Sequence, residues 1–139
     1  MDVMKLNGKK ALITGGSSGF GRSAAELLAA HGADVCINYS NNEDKARATL
    51  NALDSHDVDA FAVKADVSDP DPCASLVEQV KERFGRIDIL VHSAGIAQLD
   101  DSDPEKFDRV MRVHIYSTHF LFQAVEPIMI DQQQGSIVV

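Results

Sequence analysis

Lys10 to Gly21 reads KALITGGSSGFG, a short apolar run that breaks into glycines and serines before apolar residues resume. Lys10 to Thr14 has the length and composition of a buried strand, and from Phe20 onward apolar residues recur at helical spacing. The glycines therefore occupy a strand-to-helix turn. Such a turn leaves the first N–H groups of the helix unpaired at the positive end of its dipole, which suits an anionic pyrophosphate. Glycine is required there on steric grounds: Gly15 to turn with positive φ, Gly19 to let a phosphate approach bare backbone, Gly21 to let the helix pack close to the strand. A glycine-rich loop alone also fits a tight turn or a linker, and it is the strand before and the helix after that favour phosphate binding.

Working outward, the helix predicted over Phe20 to His31 places Phe20, Ala24, Leu27 and Leu28 on one face and stops at Gly32. Asp34 to Tyr39 follows as a second strand. Ser40, Asn41, Asn42 and Glu43 read as a capping box for a helix to about Leu53, with Ala46, Leu50 and Leu53 inward. Val58 to Lys64 is a third strand, after which Ser68 is positioned to cap a helix whose first turn tolerates Pro70 and Pro72. Its stripe is Leu76, Val77, Val80 and Phe84, and Gly85 ends it. Ile87 to Val91 is a fourth strand. A long helix from about Pro104 to Ile130, with Asp103 as cap, carries two apolar stripes. Val110, Val113, Leu121, Ala124, Val125 and Ile128 suffice to cover a sheet, whereas Phe107, Met111, Ile115 and Phe122 need another partner, a helix of the same chain or a second subunit. Gly135 and Ser136 open a fifth strand at Ile137, Val138 and Val139.

Strands alternating with helices, with no internal repeat, predict an α/β fold with a doubly wound parallel sheet in the order 3-2-1-4-5. The 139 residues read as a single domain, residues 1–139, of ordinary globular composition, 45% hydrophobic and 24% charged. A net charge of −8 argues against nucleic acid or an anionic membrane as the main partner, because those contacts need clustered Lys and Arg. No apolar run approaches the roughly 18 residues of a membrane span and no signal peptide precedes the first strand, so the sequence reads as cytoplasmic. Cys36 falls in a strand and Cys73 in a first helical turn, without metal-type spacing, so both read as reduced thiols.

With these motifs in hand the sequence resembles the short-chain dehydrogenase/reductase family over essentially its whole length. Four features carry the resemblance together: Thr14-Gly15 with Gly19 and Gly21, Asp66-Val67 after strand three, Ser93-Ala94-Gly95 after strand four, and Gly135-Ser136-Ile137-Val138 opening strand five. The resemblance implies an NAD(P)-dependent oxidoreductase acting on a carbonyl or hydroxyl group, with this chain as its dinucleotide-binding half. Implied cofactor contacts are Thr14, Gly15, Ser17, Ser18, Gly19, Phe20 and Gly21 around the pyrophosphate, Tyr39 and Ser40 after strand two, Asp66 and Val67 near the adenine, and Ser93, Ala94 and Gly95 beside the nicotinamide ribose. Each has a plainer reading: Asp66 can start a turn, Ala94 and Gly95 can form a tight strand exit, and the Thr14 hydroxyl can brace the loop. Their common position at the carboxyl ends of neighbouring strands, where open α/β sheets bind ligands, favours the binding reading.

A carboxylate after strand two would hydrogen-bond a free ribose 2′-OH and repel a 2′-phosphate. Tyr39 stands there, with Ser40 and Asn41 as neutral donors and Lys45 nearby, so NADP is favoured over NAD, although Ser18 stands where many NADP-preferring relatives carry Arg. The family's Ser, Tyr and Lys, the last two in YxxxK spacing, would lie beyond Val139. The chain is thus expected to be truncated at the fifth strand, lacking the catalytic and substrate-binding part. Neither Tyr39 nor Tyr116 has Lys four residues later. His92 replaces the first Asn of the family's NNAG loop, and His114 stands where relatives place an Asn that holds a water in the proton relay; within the chain His114 is the one catalytic candidate. No metal site is expected, since the separation of His114 from His119 puts them on different helix faces and so breaks up a set with His92. The alternatives are a catalytically inactive truncated product or nucleotide-binding module, and a methyltransferase-type domain, which the TGxxxGxG spacing and Ser93-Ala94-Gly95 disfavour. Expected partners are the dinucleotide, a small-molecule substrate only with the missing portion present, and a second copy through the long helix 104–130.

Overall fold

A computed structural model describes residues 5–96 and 102–139. Five strands, β1 (Lys10–Thr14), β2 (Asp34–Tyr39), β3 (Ala60–Lys64), β4 (Ile89–His92) and β5 (Ser136–Val138), form one parallel sheet in the order β3-β2-β1-β4-β5. Helices α1 (Gly19–Ala30), α2 (Glu43–Leu53) and α3 (Pro70–Phe84) connect the first four strands. Between β4 and β5 lie α4 (Pro104–Met111), a π-helical turn at Arg112–Tyr116, and α5 (Ser117–Gln132). The doubly wound topology expected from the sequence is the one observed.

Strand alternation divides the core. Ala11, Ile13, Val35 and Ile37 point to the face covered by α1 and α2, while Leu12, Cys36 and Leu90 point to the face covered by α3 and α5. Leu12, Leu90 and Leu121 are fully buried, each contributing about 1.5–3 kcal/mol of apolar transfer. Cys36 and Cys73 are free and buried, and burial pushes the Cys73 thiol up to about 12, so both serve as apolar filler. Asp88, buried at the start of β4, accepts from the Lys10 amide at 2.9 Å and from the Arg86 guanidinium at 2.6 Å, joining β1 to β4. At the far end of α5 the Gln132 side-chain amide bonds both the N–H and the carbonyl of Ile87, at 3.0 and 2.8 Å, which ties the helix end to the residues leading into β4.

The structure corrects five local expectations. In α1 the buried positions are Gly21, Ala25 and Ala29, while Phe20 is 89% exposed and Leu27 61%. A helix lying close to a sheet needs small residues at the contact, so the stripe of spacing four outranks the bulkier apolar residues. The α2 cap is Asn42, whose side chain accepts from Lys45 N–H at 3.0 Å, and not Ser40. Likewise Asp69 occupies the α3 cap position, because the Ser68 hydroxyl is turned to Asp66 at 2.7 Å. The long helix is continuous but not uniform: the π-helical turn inserts mid-way, and past it Ser117, Leu121, Val125 and Met129 are buried. Strand limits also shift, with β3 starting at Ala60 and β4 running to His92.

Candidate functional site

At the carboxyl ends of β1, β2, β3 and β4 the loops enclose a cleft of about 300 Å³. Gly15, Ser17 and Ser18 line it from the glycine turn, Tyr39 and Ser40 from the end of β2, Asp66 and Val67 from the end of β3, and Ala94 and Gly95 from the end of β4. Nine of the sequence-derived candidates thus share one cavity. Thr14, Gly19, Phe20, Gly21 and Ser93 do not line it: Thr14 is fully buried beneath the loop, and Gly19 and Phe20 project to solvent at its rim.

The glycine turn is built by close backbone approach. A Cβ on Gly21 would lie 2.2 Å from the Gly15 carbonyl oxygen, and one on Gly15 2.9 Å from the Ala94 backbone. Gly15 and Gly19 have φ of +64° and +55°, and a Cβ on Gly19 would meet no described atom within 4 Å beyond its chain neighbours and its own helix backbone. The space there opens outward, onto the first turn of α1. That turn has neither an acidic residue nor a side-chain cap, in contrast to α2 and α4, and its first internal bond is from Arg22 N–H to the Ser18 carbonyl at 3.2 Å. Among the described residues no side chain caps its leading amides, which stand at the positive end of the helix dipole.

Two polar cleft residues escaped the sequence reading. Asn38, buried in β2, accepts weakly from Gly15 N–H at 3.4 Å and donates to the Ala65 carbonyl at 3.0 Å, so it holds the glycine turn to the ends of β2 and β3. A lone amide closing the apolar run Val35-Cys36-Ile37 is the signal that could have revealed it. Arg109 reaches from α4 to within 3.4 Å of Asp66 Oδ2; nothing local in α4 announces that contact, which depends on where the helix is docked.

Asp66 is also a turn-former. Its Oδ1 accepts from the Ser68 amide at 3.0 Å and hydroxyl at 2.7 Å. Burial would raise its pKa, but the Ser68 hydrogen bonds and the Arg109 guanidinium outweigh it and hold the carboxyl below its ordinary range. Among the described residues Oδ2 keeps only the long Arg109 contact. Thr14 braces the opposite wall, its hydroxyl oxygen accepting from the Ser93 and Ala94 amides at 3.1 and 3.2 Å. His92, paired with Thr14 across β1 and β4, is buried with Nδ1 2.7 Å from that same oxygen and Nε2 2.8 Å from Ser117 Oγ. His114 is exposed, and its Nε2 lies 3.1 Å from Ile96 N and 3.0 Å from Ile96 O, clasping the loop after β4. Tyr116 is half-exposed, edge-on to Phe120, with the Arg112 guanidinium over its ring.

Known proteins of this architecture share sequence as well as shape. A family model described as short chain dehydrogenase matches residues 9–139. An L-rhamnose 1-dehydrogenase (NAD(P)+) from a Sphingomonas species is 36% identical over 137 residues, covering 96% of this chain and 54% of the relative. A 3-oxoacyl-acyl-carrier-protein reductase from Staphylococcus aureus is 35% identical over 138 residues, covering 97% and 56%. A crystallised short chain dehydrogenase from Burkholderia cenocepacia, in complex with NADP, superposes with a TM-score of 0.83 at 38% identity, covering 89% and 52%. The chain spans about half the length of each of these proteins.

Proposed function

This chain belongs to the short-chain dehydrogenase family, and from that premise we propose that its cleft holds a nicotinamide dinucleotide, NADP in preference to NAD, as the cofactor half of an oxidoreductase acting on a carbonyl or hydroxyl group. The single observation that carries the reading is the glycine turn. The Gly21 position, 2.2 Å from the Gly15 carbonyl for any Cβ, draws α1 against the loop, and the open side of Gly19 faces an uncapped helix start. A cradle of this shape fits a pyrophosphate, held by backbone amides of residues 17–21 together with the Ser17 and Ser18 hydroxyls.

Asp66 and Val67 would flank the adenine, with Oδ2 as the acceptor left over by Ser68. Ser93, Ala94 and Gly95 would lie along the nicotinamide ribose, fixed by Thr14. When bound, the nicotinamide supplies the hydride donor or acceptor. Preference for NADP rests on the end of β2: Tyr39 brings no carboxylate to repel a 2′-phosphate, Ser40 is not spent on the α2 cap, and Lys45 lines the same cleft. His114 keeps the loop after β4 in place and is the one catalytic candidate within these residues. Phe107, Ile115 and Phe122, 54%, 55% and 37% exposed, favour self-association through the long helix.

Calorimetric titration of the 139-residue chain with NADPH and NADH tests the reading, alongside NADPH oxidation across carbonyl substrates. NADPH should bind more tightly than NADH. Binding without turnover would assign these residues the role of a nucleotide-binding module, and no binding of either dinucleotide would overturn the assignment.

A further inference from the structure

His92 is a buried imidazole that the cofactor reading leaves unused, and its hydrogen bonds determine its protonation. The Thr14 hydroxyl oxygen already accepts two amides, Ser93 N–H at 3.1 Å and Ala94 N–H at 3.2 Å. Both lone pairs are taken, so its O–H must donate, and the acceptor at 2.7 Å is His92 Nδ1. The ring proton then sits on Nε2 and points to Ser117 Oγ at 2.8 Å. Ser117 donates its own proton to the Val113 carbonyl. The chain of bonds from Ser93 and Ala94 through Thr14, His92 and Ser117 to Val113 runs in one direction and has no place for a second ring proton.

We propose that His92 is a positioning residue, a neutral Nε2–H imidazole that orients the Thr14 hydroxyl and so fixes the loop Ser93 to Gly95, and that protonation of this ring releases the loop and weakens dinucleotide binding. The binding half rests on the cofactor reading; the hydrogen-bond half does not. An imidazolium would present Nδ1–H to an oxygen without a free lone pair, and one of the two amides would have to be displaced. That displacement reaches the glycine turn directly, because the Ala94 backbone lies against Gly15, where a Cβ would come within 2.9 Å. It also reaches the π-helical turn, since Val113 and Ser117 bracket its centre.

The surroundings act in the same sense. Burial and the neighbouring His114 imidazole, the titratable group set against it from the π-helical turn, lower the His92 pKa from its ordinary 6.5. From β1 it meets the neutral Thr14 and from α5 the neutral Ser117. A histidine with a lowered folded pKa contributes stability that is fully present above the unfolded value and is lost as the pH falls through the folded one.

The test uses 15N-labelled chain and NADP+ as the probe. In the free protein the His92 ring should show the Nε2–H pattern near about pH 7.5, and on acidification the Ser93 and Ala94 amide resonances should move with the His92 midpoint. NADP+ affinity should fall by about tenfold or more across that midpoint. His92→Asn keeps a donor and an acceptor but does not titrate, so it should remove the excess acid dependence while binding near neutrality; comparing it with wild type cancels ionisation of the ligand itself. An Nδ1–H ring, amides that ignore the His92 titration, or an unchanged acid dependence in His92→Asn would each overturn the proposal. If NADP+ fails to bind at any pH while the amides still track His92, the cofactor reading falls and the hydrogen-bond assignment stands.

Discussion

Replacing Gly19 by alanine separates binding from folding at the turn. Beyond its chain neighbours and its own helix backbone, a Cβ there would meet no described atom within 4 Å, so the methyl collides with no other element of the fold. The backbone has φ of +55°, and an L-residue in that region costs about 1–2 kcal/mol. For a chain of this size about 1 kcal/mol lowers Tm by roughly 2–4 °C. The same methyl would stand over the first amides of α1, where the pyrophosphate is proposed to lie, and should weaken NADPH binding at least about tenfold, or about 1.4 kcal/mol. Gly21→Ala provides the contrast. Its Cβ would sit 2.2 Å from the Gly15 oxygen and 2.7 Å from the Gly15 carbonyl carbon, so backbone must shift by about 1 Å, and overpacking of that kind costs about 1–3 kcal/mol. Thermal melts followed by calorimetry at a temperature where both variants are folded give the two numbers separately. A folded Gly19→Ala with wild-type NADPH affinity would refute the placement of the anion, and a Gly21→Ala as stable as wild type would refute the close approach of α1.

Tyr39→Asp should move the dinucleotide preference toward NAD, because a carboxylate at the end of β2 repels a 2′-phosphate and accepts from a 2′-OH; paired titrations with NADPH and NADH check it, and a wild type that already prefers NADH would overturn the NADP preference. Asp88→Ala removes the acceptor of the part-buried Lys10 amide and should cost about 1–3 kcal/mol in urea unfolding. Burial raises the Asp88 pKa, but the Arg86 and Lys10 hydrogen bonds outweigh it and hold it below 3.8; its contribution is therefore present above the unfolded value and is lost as the pH falls through the lower folded one, so the acid limb of wild-type stability should flatten in the variant. Ile115→Glu with Phe122→Glu charges the exposed stripe of the long helix and should reduce the mass seen by light scattering if copies associate there; an unchanged mass would exclude that face.

The alternation of strands and helices and the turn at residues 14–21 could be read from the sequence because each depends on local preferences, and the parallel sheet order followed from that alternation together with right-handed crossovers. Short continuous apolar runs, glycines that end helices and the strand-turn-helix context lie within a few residues of one another. The family resemblance was readable for the same reason. What the chain alone could not settle was which of several locally equivalent choices the packing would take. Phe20 and Leu27 have the right period for a buried face, yet close approach of α1 to β1 and β2 selects Gly21, Ala25 and Ala29. Ser40 and Asn42 are both competent caps, and in the fold it is the Asn42 side chain that takes the Lys45 amide. Arg109 and Asp66 are 43 residues apart and meet only because the fold brings both to the same cleft. His92, Thr14 and Ser117 look like a strand end, a turn and a mid-helix serine until the β1–β4 register and the π-helical turn bring their polar atoms within 2.7–2.8 Å. Local propensity ranks the candidates for each role; a shared buried volume, in which every polar atom must find a partner, picks among them.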